Sequence, residues 1–368
     1  MNTPNFNTSW QCPAIDNGVE IMANDTIRPC CESTYEKPIT EILNPDRFKE
    51  LYELKDQHCT KCIEKEKNNV PSYRQHFLRL QKYANSNNTT NIQFLDIRNS
   101  NLCNSKCRTC GPHFSNLWDK EINKTNIIRH SNINEYFDLI INPDLIEIYF
   151  AGGEPLINDD HYRILERCIA NGTSSNIKLR YNTNLSTLRY KNKDIMQLWD
   201  NFKKIHFDIS IDAIGSVFNN LRSGSDWDTI NANLDKLQTK RNDLNSTNLD
   251  ISIHLTASNL NIWFIVETLT YLRDNNFKFE KNLAVDFVTW PPNLSLSAIP
   301  AKLVKKVTSI LKNCATLGMP AEVIEYGITL LNSKYQDQFD SMLADQSRLD
   351  EIRKESMCQI LSTVGVTR

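Results

Sequence analysis

The chain has 368 residues, 40% of them hydrophobic, and its 42 Lys and Arg against 44 Asp and Glu leave a net charge of −2. That length allows two domains with a real interior, and the balanced charge supplies no global field to draw the protein onto a nucleic-acid backbone or an acidic membrane. Met1 to Trp10 carries neither basic residues nor an apolar run, and no later stretch approaches the roughly 18 apolar residues of a membrane span, so a cytoplasmic chain is expected. There, 11 cysteines are not disulfide staples, because that compartment keeps thiols reduced; metal ligation is the expected explanation.

From Cys12 to about Arg79 the pattern is irregular, with short apolar runs, turn residues and the cysteines Cys12, Cys30, Cys31, Cys59 and Cys62. Residues 1–85 are read as a small domain with too little apolar chain for a core of its own, which a metal has to hold together. A polar stretch, Tyr83–Asn91, reads as a connection. Beyond it, apolar strands at Gln93–Ile97, Ile146–Phe150, Ile177–Tyr181, Ile205–Ile211, Ile251–Thr256 and Ala284–Thr289 are each followed by room for a helix, an alternation that predicts a parallel sheet, doubly wound or barrel-like. Helices are expected after Asp159 or Asp160, with Ile164, Leu165, Cys168 and Ile169 on one face, from Trp227 to Leu237 and from about Asn261 to Arg273. This part spans 92–300, and a helical extension, 301–368, follows with Ala301–Leu317 and Gln338–Ser356 as its better segments.

Five residues past Arg98, at the end of the first strand's run Leu95-Asp-Ile-Arg98, Cys103-Asn-Ser-Lys-Cys107-Arg-Thr-Cys110 crowds three thiols into one loop. Structural zinc takes four protein ligands, whereas three cysteines leave one corner of an iron–sulfur cube open to a small molecule. Polar groups follow further strands. Ala151-Gly152-Gly153-Glu154-Pro155 pairs glycines that admit close backbone approach with a carboxylate that accepts from an ammonium group, or it is an ordinary strand-to-helix turn. Thr183 and Asn184 suit ribose hydroxyls or turn-making; Ser210 and Asp212 suit cofactor binding or capping. Arg222, in Arg-Ser-Gly, offers a planar fork to a carboxylate. In a parallel barrel all these strand ends share the rim where active sites assemble.

The C-x3-C-x2-C loop resembles the signature of the radical S-adenosylmethionine superfamily, with Thr109 where that family usually carries an aromatic residue. Gly152, Gly153 and Glu154 resemble its methionine-amino motif, Thr183-Asn184 its T-N-G, with Leu185 in place of the glycine, Ser210 and Asp212 its S-x-D, and Arg222 its R-x-G. The resemblance, over roughly Ile92 to Pro300, implies an α/β fold: a partial (β/α)6 TIM-like barrel. It implies a four-iron four-sulfur cluster on Cys103, Cys107 and Cys110, S-adenosylmethionine on the strand-end residues, and reductive cleavage of that cofactor followed by hydrogen abstraction from a peptide, protein or small-molecule substrate. The electron would come from a donor such as a flavodoxin or ferredoxin. No acid or base catalyst stands out, and His113 and His254 receive no role.

Taken alone, the N-terminal cysteines, which include Cys59-x2-Cys62, suit zinc as well as iron–sulfur. The segment resembles the twitch or SPASM-like auxiliary domains, with Glu66, Ser72 and Arg74 matching their tail, although better-known examples place that domain after the barrel. This implies a second cluster on Cys12, Cys30, Cys59 and Cys62, with Cys31 as the substitute for Cys30. The rival reading is a non-catalytic, zinc-stapled binding protein on a degenerate barrel. Cys168, Cys314 and Cys358 are read as core.

Overall fold

The computed structural model describes residues 10–67, 71–81, 91–125, 127–242, 248–333 and 338–367; all but the last residue of the expected connection Tyr83–Asn91 lies outside them. In chain order, helix α1 (Pro13–Asn17) leads into strands β1 (Gly18–Met22), β2 (Thr26–Arg28) and β3 (Lys37–Pro38). Helices α2 (Leu51–His58), α3 (Thr60–Lys67) and α4 (Tyr73–Gln81) follow. Next come β4 (Phe94–Arg98), α5 (Asn116–Asn123), β5 (Glu147–Phe150), α6 (Asp159–Ala170), β6 (Lys178–Thr183) and β7 (Lys204–Ser210). The chain continues through α7 (Gly215–Leu221), α8 (Trp227–Asn242), β8 (Leu249–Ala257), α9 (Ile265–Asp274) and β9 (Leu283–Phe287). It ends in α10 (Ala301–Asn313), α11 (Ala321–Leu331), α12 (Phe339–Arg353) and α13 (Met357–Thr363).

All six strands read from the sequence are present, and the fold is mixed α/β. Contacts divide the chain into two compact units. The first holds residues up to Asn101, Ile128–Arg180 and Gln197–Ile205; the second holds Leu102–Ile127, Tyr181–Met196 and His206–Arg368.

In the first unit the strand order is β6, β5, β4, β1, β2, β3. β1 runs parallel to β4, with Gly18 opposite Phe94 and Met22 opposite Arg98, and β4 runs parallel to β5. β2 and β3 turn back antiparallel. Because side chains alternate along a strand, this register puts Glu20, Asp96, Arg98, Glu147 and Tyr149 on one face, while Val19, Ile21, Leu95, Ile97, Ile148 and Phe150 are buried on the other. Each such aliphatic side chain taken fully out of water contributes about 1.5–3 kcal/mol. The polar face is paired internally. Arg98 Nε lies 3.0 Å from Glu20 and 3.0 Å from Asp96, and Glu147 meets His76 at 3.2 Å and Lys178 at 2.9 Å.

Helix α6 buries Ile164, Leu165 and Cys168 as its periodicity demands. Its N-cap is Asn158, whose side chain accepts from Asp160 N–H at 3.0 Å. Asp159 and Asp160, the caps expected from sequence, stand inside the first turn, where their charge favours the positive end of the helix.

In the second unit the order is β9, β8, β7, β6, with β8 and β9 parallel from Ile253 opposite Leu283 to Ala257 opposite Phe287. β8 alternates strictly: Leu249, Ile251, Ile253, Leu255 and Ala257 are buried, and Asp250, Ser252, His254 and Thr256 are half-buried. The inner face of α8, Ile230, Leu234 and Leu237, is buried as it packs on β8, and α12 packs on α13.

Candidate functional site

The cysteine loop belongs to the second unit. Cys103, Cys107 and Cys110 are half-buried, and the loop is tied at nearly every residue between them. Cys103 N–H donates to Asn116 Oδ1 at 2.9 Å, at the start of α5. Ser115, the N-cap of that helix, donates its hydroxyl to the Ser105 carbonyl at 2.7 Å. Trp118 Nε1 donates to the Cys107 carbonyl at 2.9 Å, and Cys110 N–H closes a turn onto the same carbonyl at 2.9 Å. A short antiparallel pairing sets Arg222 opposite Cys107 and Ser223 opposite Lys106. Gly224 follows with φ +92°, and a Cβ there would stand 2.7 Å from the Asn104 carbonyl oxygen; only glycine fits both the dihedral and the gap.

The strand-end residues of this unit converge on that loop. Asn184 Nδ2 donates to Asn104 Oδ1 at 2.9 Å and to Ser105 Oγ at 3.1 Å. Its Oδ1 accepts from Ser186 N–H at 2.9 Å, as Thr183 Oγ1 accepts from Leu185 N–H at 2.9 Å, so both residues also make turns. Leu185, where a glycine would ease the chain, takes φ +55° with its side chain fully buried; that burial offsets the ~1–2 kcal/mol of a left-handed conformation. Asp212 receives Arg222 through Nε at 2.9 Å and Nη2 at 2.8 Å, and its other oxygen accepts from Thr256 N–H at 2.9 Å. Arg222 Nη1 donates to Cys107 Sγ at 3.8 Å. Burial alone would lower the guanidinium pKa, but Asp212 and Cys107 outweigh it and hold the cation firmly charged. Burial pushes the Cys110 thiol up to about 11 and raises Cys107. Ser210 is half-buried at the end of β7.

In the first unit, Gly152 takes φ +101°, and a Cβ there would lie 3.1 Å from the Ser100 carbonyl oxygen and 3.2 Å from Arg98 Cα. Gly153 N–H donates to Ser100 O at 3.1 Å. Glu154 is buried, and its carboxylate accepts from Leu156 N–H at 3.1 Å, which fixes the side chain at the head of the next turn.

Cys12, Cys30, Cys59 and Cys62, also of the first unit, line one cavity together with Trp10, Phe77 and Arg74. Burial pushes Cys12 up to about 12 and Cys59 up to about 11, and the charges of neighbouring thiols add to it. Cys30 is raised by burial and then by Cys12 and Cys31. Cys31 does not line the cavity; burial raises its thiol, and the charges it feels most are those of Asp96, Arg98 and Glu20. Arg74 pairs with Glu66 at 2.5 Å, donates to Gln11 O at 2.8 Å, and shares Glu66 with the Ser72 hydroxyl. Among the described residues no three His, Cys, Asp or Glu side chains converge on a single-ion position; what these four thiols share is a cavity.

Residues 99–259 match the family model of the Radical SAM superfamily. The chain carries a Radical SAM superfamily domain. A 123-residue stretch is 28% identical to GTP 3',8-cyclase of Campylobacter lari, covering 33% of this chain and 35% of that protein, so the chain spans about a third of the curated relative it matches. Among solved structures, native anSMEcpe with bound AdoMet aligns at TM-score 0.41 and 16% identity over 61% of this chain and 62% of that one. Streptococcus suis SuiB bound to its precursor peptide SuiA aligns at TM-score 0.38 and 17% identity over 77% of this chain and 59% of that one. The radical SAM domain contains the cysteine loop and every strand-end residue singled out above, whereas Cys12, Cys30, Cys59 and Cys62 precede it. The donor chemistry fits the cofactors the family implies: three thiols on one loop, Cys107 among them beside the Arg222 guanidinium, and a glycine turn whose backbone a side chain would obstruct. Residues not singled out in the sequence also hold the loop, chiefly Asn104, Ser105, Arg108 and Arg353. Asn104, Ser105 and Arg108 lie inside the cysteine spacing itself, but Arg353 follows Lys106 by 247 positions, and no local pattern connects the two.

Proposed function

We propose that this chain is a radical S-adenosylmethionine enzyme with two iron–sulfur clusters, acting on a peptide, protein or small metabolite, with an electron donor such as a flavodoxin or ferredoxin. The observation that carries the reading is the cysteine loop of residues 103–110, fixed in the second unit with Arg222 against Cys107. Cys103, Cys107 and Cys110 would hold a four-iron four-sulfur cluster whose chemistry is one-electron cleavage of the cofactor's sulfonium, yielding a species that takes hydrogen from the substrate. Arg222, held by Asp212, would favour a thiolate at Cys107 through its contact with that sulfur. Thr183, Asn184, Ser210 and Asp212 would supply polar contacts to the cofactor. Gly152 and Gly153 would offer bare backbone, and Glu154 a pre-set carboxylate, to an ammonium group.

The second cluster is assigned to Cys12, Cys30, Cys59 and Cys62, and their shared cavity supports that choice over Cys31. Anaerobic production and metal analysis test both assignments. About eight irons per chain are expected, four per cluster, and replacing either cysteine set by alanine should leave about four. A folded chain carrying only zinc would instead favour the stapled binding protein.

A further inference from the structure

The cysteine loop is gripped from the far end of the chain. Arg108, directly after Cys107, has a fully buried side chain (0% exposed). Its guanidinium donates to Gln346 Oε1 at 2.8 Å, Asp350 Oδ1 at 2.5 Å, Glu355 Oε2 at 2.7 Å and the Asn220 carbonyl at 2.7 Å. The other oxygen of Glu355 takes the hydroxyl of Ser223, the residue paired opposite Lys106. Arg353, 1% exposed, pairs with Glu121 at 2.7 Å, donates to the Lys106 carbonyl at 2.9 Å, and lies 4.4 Å over the ring of Trp118, which itself holds the Cys107 carbonyl. The turn that delivers these groups is specific: Lys354 ends α12 in the left-handed region, φ 56°, and Asp350 caps the start of α13 through the N–H groups of Met357 and Cys358 at 3.0 and 2.8 Å.

Three cations (Lys106, Arg108, Arg353) meet three anions (Glu121, Asp350, Glu355). Buried ion pairs of this kind return little net stability over apolar packing. What they do supply is a single geometry, because each partner's desolvation is repaid only when all the forks are engaged. Four of these partners bond either residues flanking Cys107 or the strand opposite it.

We infer that the C-terminal turn Asp350–Cys358 is a positioning clamp for the cysteine loop, with Arg353 and Glu355 holding Cys107 at the spacing a cluster needs. This rests on the proposed function for the identity of the bound group, and on the contacts alone for the clamp.

The test uses the full chain, reconstituted without oxygen and exposed to an iron chelator. Timed alkylation and peptide mass spectrometry then read each cysteine separately. In Glu355→Gln and Arg353→Met, Cys103, Cys107 and Cys110 should become labelled about tenfold faster than in the wild type, the range seen when outer partners of metal ligands are lost. Cys12, Cys30, Cys59 and Cys62 should keep their wild-type rates, and Arg353→Lys, which keeps the charge without the fork, should be intermediate. Ser223→Ala, which removes one hydroxyl, serves if a charged variant does not fold. Wild-type labelling of the loop in all these variants overturns the clamp; so does equal acceleration at all seven cysteines with a lowered melting temperature, which is general loosening. If wild-type loop protection does not depend on iron, the cluster reading fails, and the same rates on the metal-free chain then decide the clamp.

Discussion

A methyl group at position 224 would meet the Asn104 carbonyl at 2.7 Å on a backbone already at φ +92°. Gly224→Ala should therefore cost about 2 kcal/mol or more through combined strain and displacement of the cysteine loop, measured by urea unfolding; a loss below half that would mean the loop yields freely. Glu20 makes a different prediction. Burial, then the charge of Asp96, raises its carboxyl from 4.5 to about 7 against the pull of Arg98. The folded chain thus keeps a proton that the unfolded chain releases, and the associated stability is full below pH 4.5 and is lost as pH rises through about 7. The melting temperature of the wild type should fall relative to Glu20→Gln across that window; parallel profiles would place the proton elsewhere. His254, given no role from sequence, lies 2.6 Å from Asp286 on the neighbouring strand, and that hydrogen bond raises its pKa above 6.5 despite burial. Its stabilising share is present below pH 6.5 and fades above the raised value. By NMR titration, Asp286→Asn should bring His254 down to its ordinary value or below, and an unmoved midpoint would remove Asp286 as the cause.

Helices α2 and α3 have little to hold them: each buries a single residue, Leu51 and Cys62 respectively. Each is only 8 residues long, too short to be stable as a helix by itself, yet they carry Cys59 and Cys62 to the shared cavity. A metal bound by the proposed N-terminal cysteine set would then contribute folding energy to this segment. Stripping metal by chelation should erase amide-exchange protection in α2 and α3 while β4 to β8 keep theirs; protection unchanged throughout would show that packing alone suffices. The same contrast explains what could be read from sequence. The six strands were legible because apolar residues alternate or run unbroken over five or more positions, as in Leu249–Ala257. β1 was not, because its short alternation Val19-Glu20-Ile21 lies in irregular chain between Cys12 and Cys30, and the partner of Glu20, Arg98, is supplied only by the fold. α2 and α3 were not, because each buries a single residue and shows no continuous apolar face. At the site, the cysteine triplet was legible from local spacing, and Asn184 and Arg222 from their places after strands. The pairing of Arg108 with Glu355 across 247 positions had no local trace.

For the molecule as a whole, a net charge of −2 fits recognition by local sites, and among the described residues no helix is long and apolar enough to cross a membrane. The matched domain accounts for residues 99–259, and the chain adds two things outside it: four cysteines around a cavity before it, and a buried ionic turn after it that returns to the cysteine loop. Two separate cysteine sets imply two separable losses, so alanine at Cys12, Cys30, Cys59 and Cys62 should leave the loop able to take up iron. The central claim is that three thiols leave one iron free to hold the sulfonium cofactor. Chromatographic assay of deoxyadenosine after dithionite reduction of the iron-loaded chain with S-adenosylmethionine tests it most directly. The account predicts deoxyadenosine from the wild type and none from Cys107→Ala; a fully iron-loaded wild-type chain that releases none would contradict it.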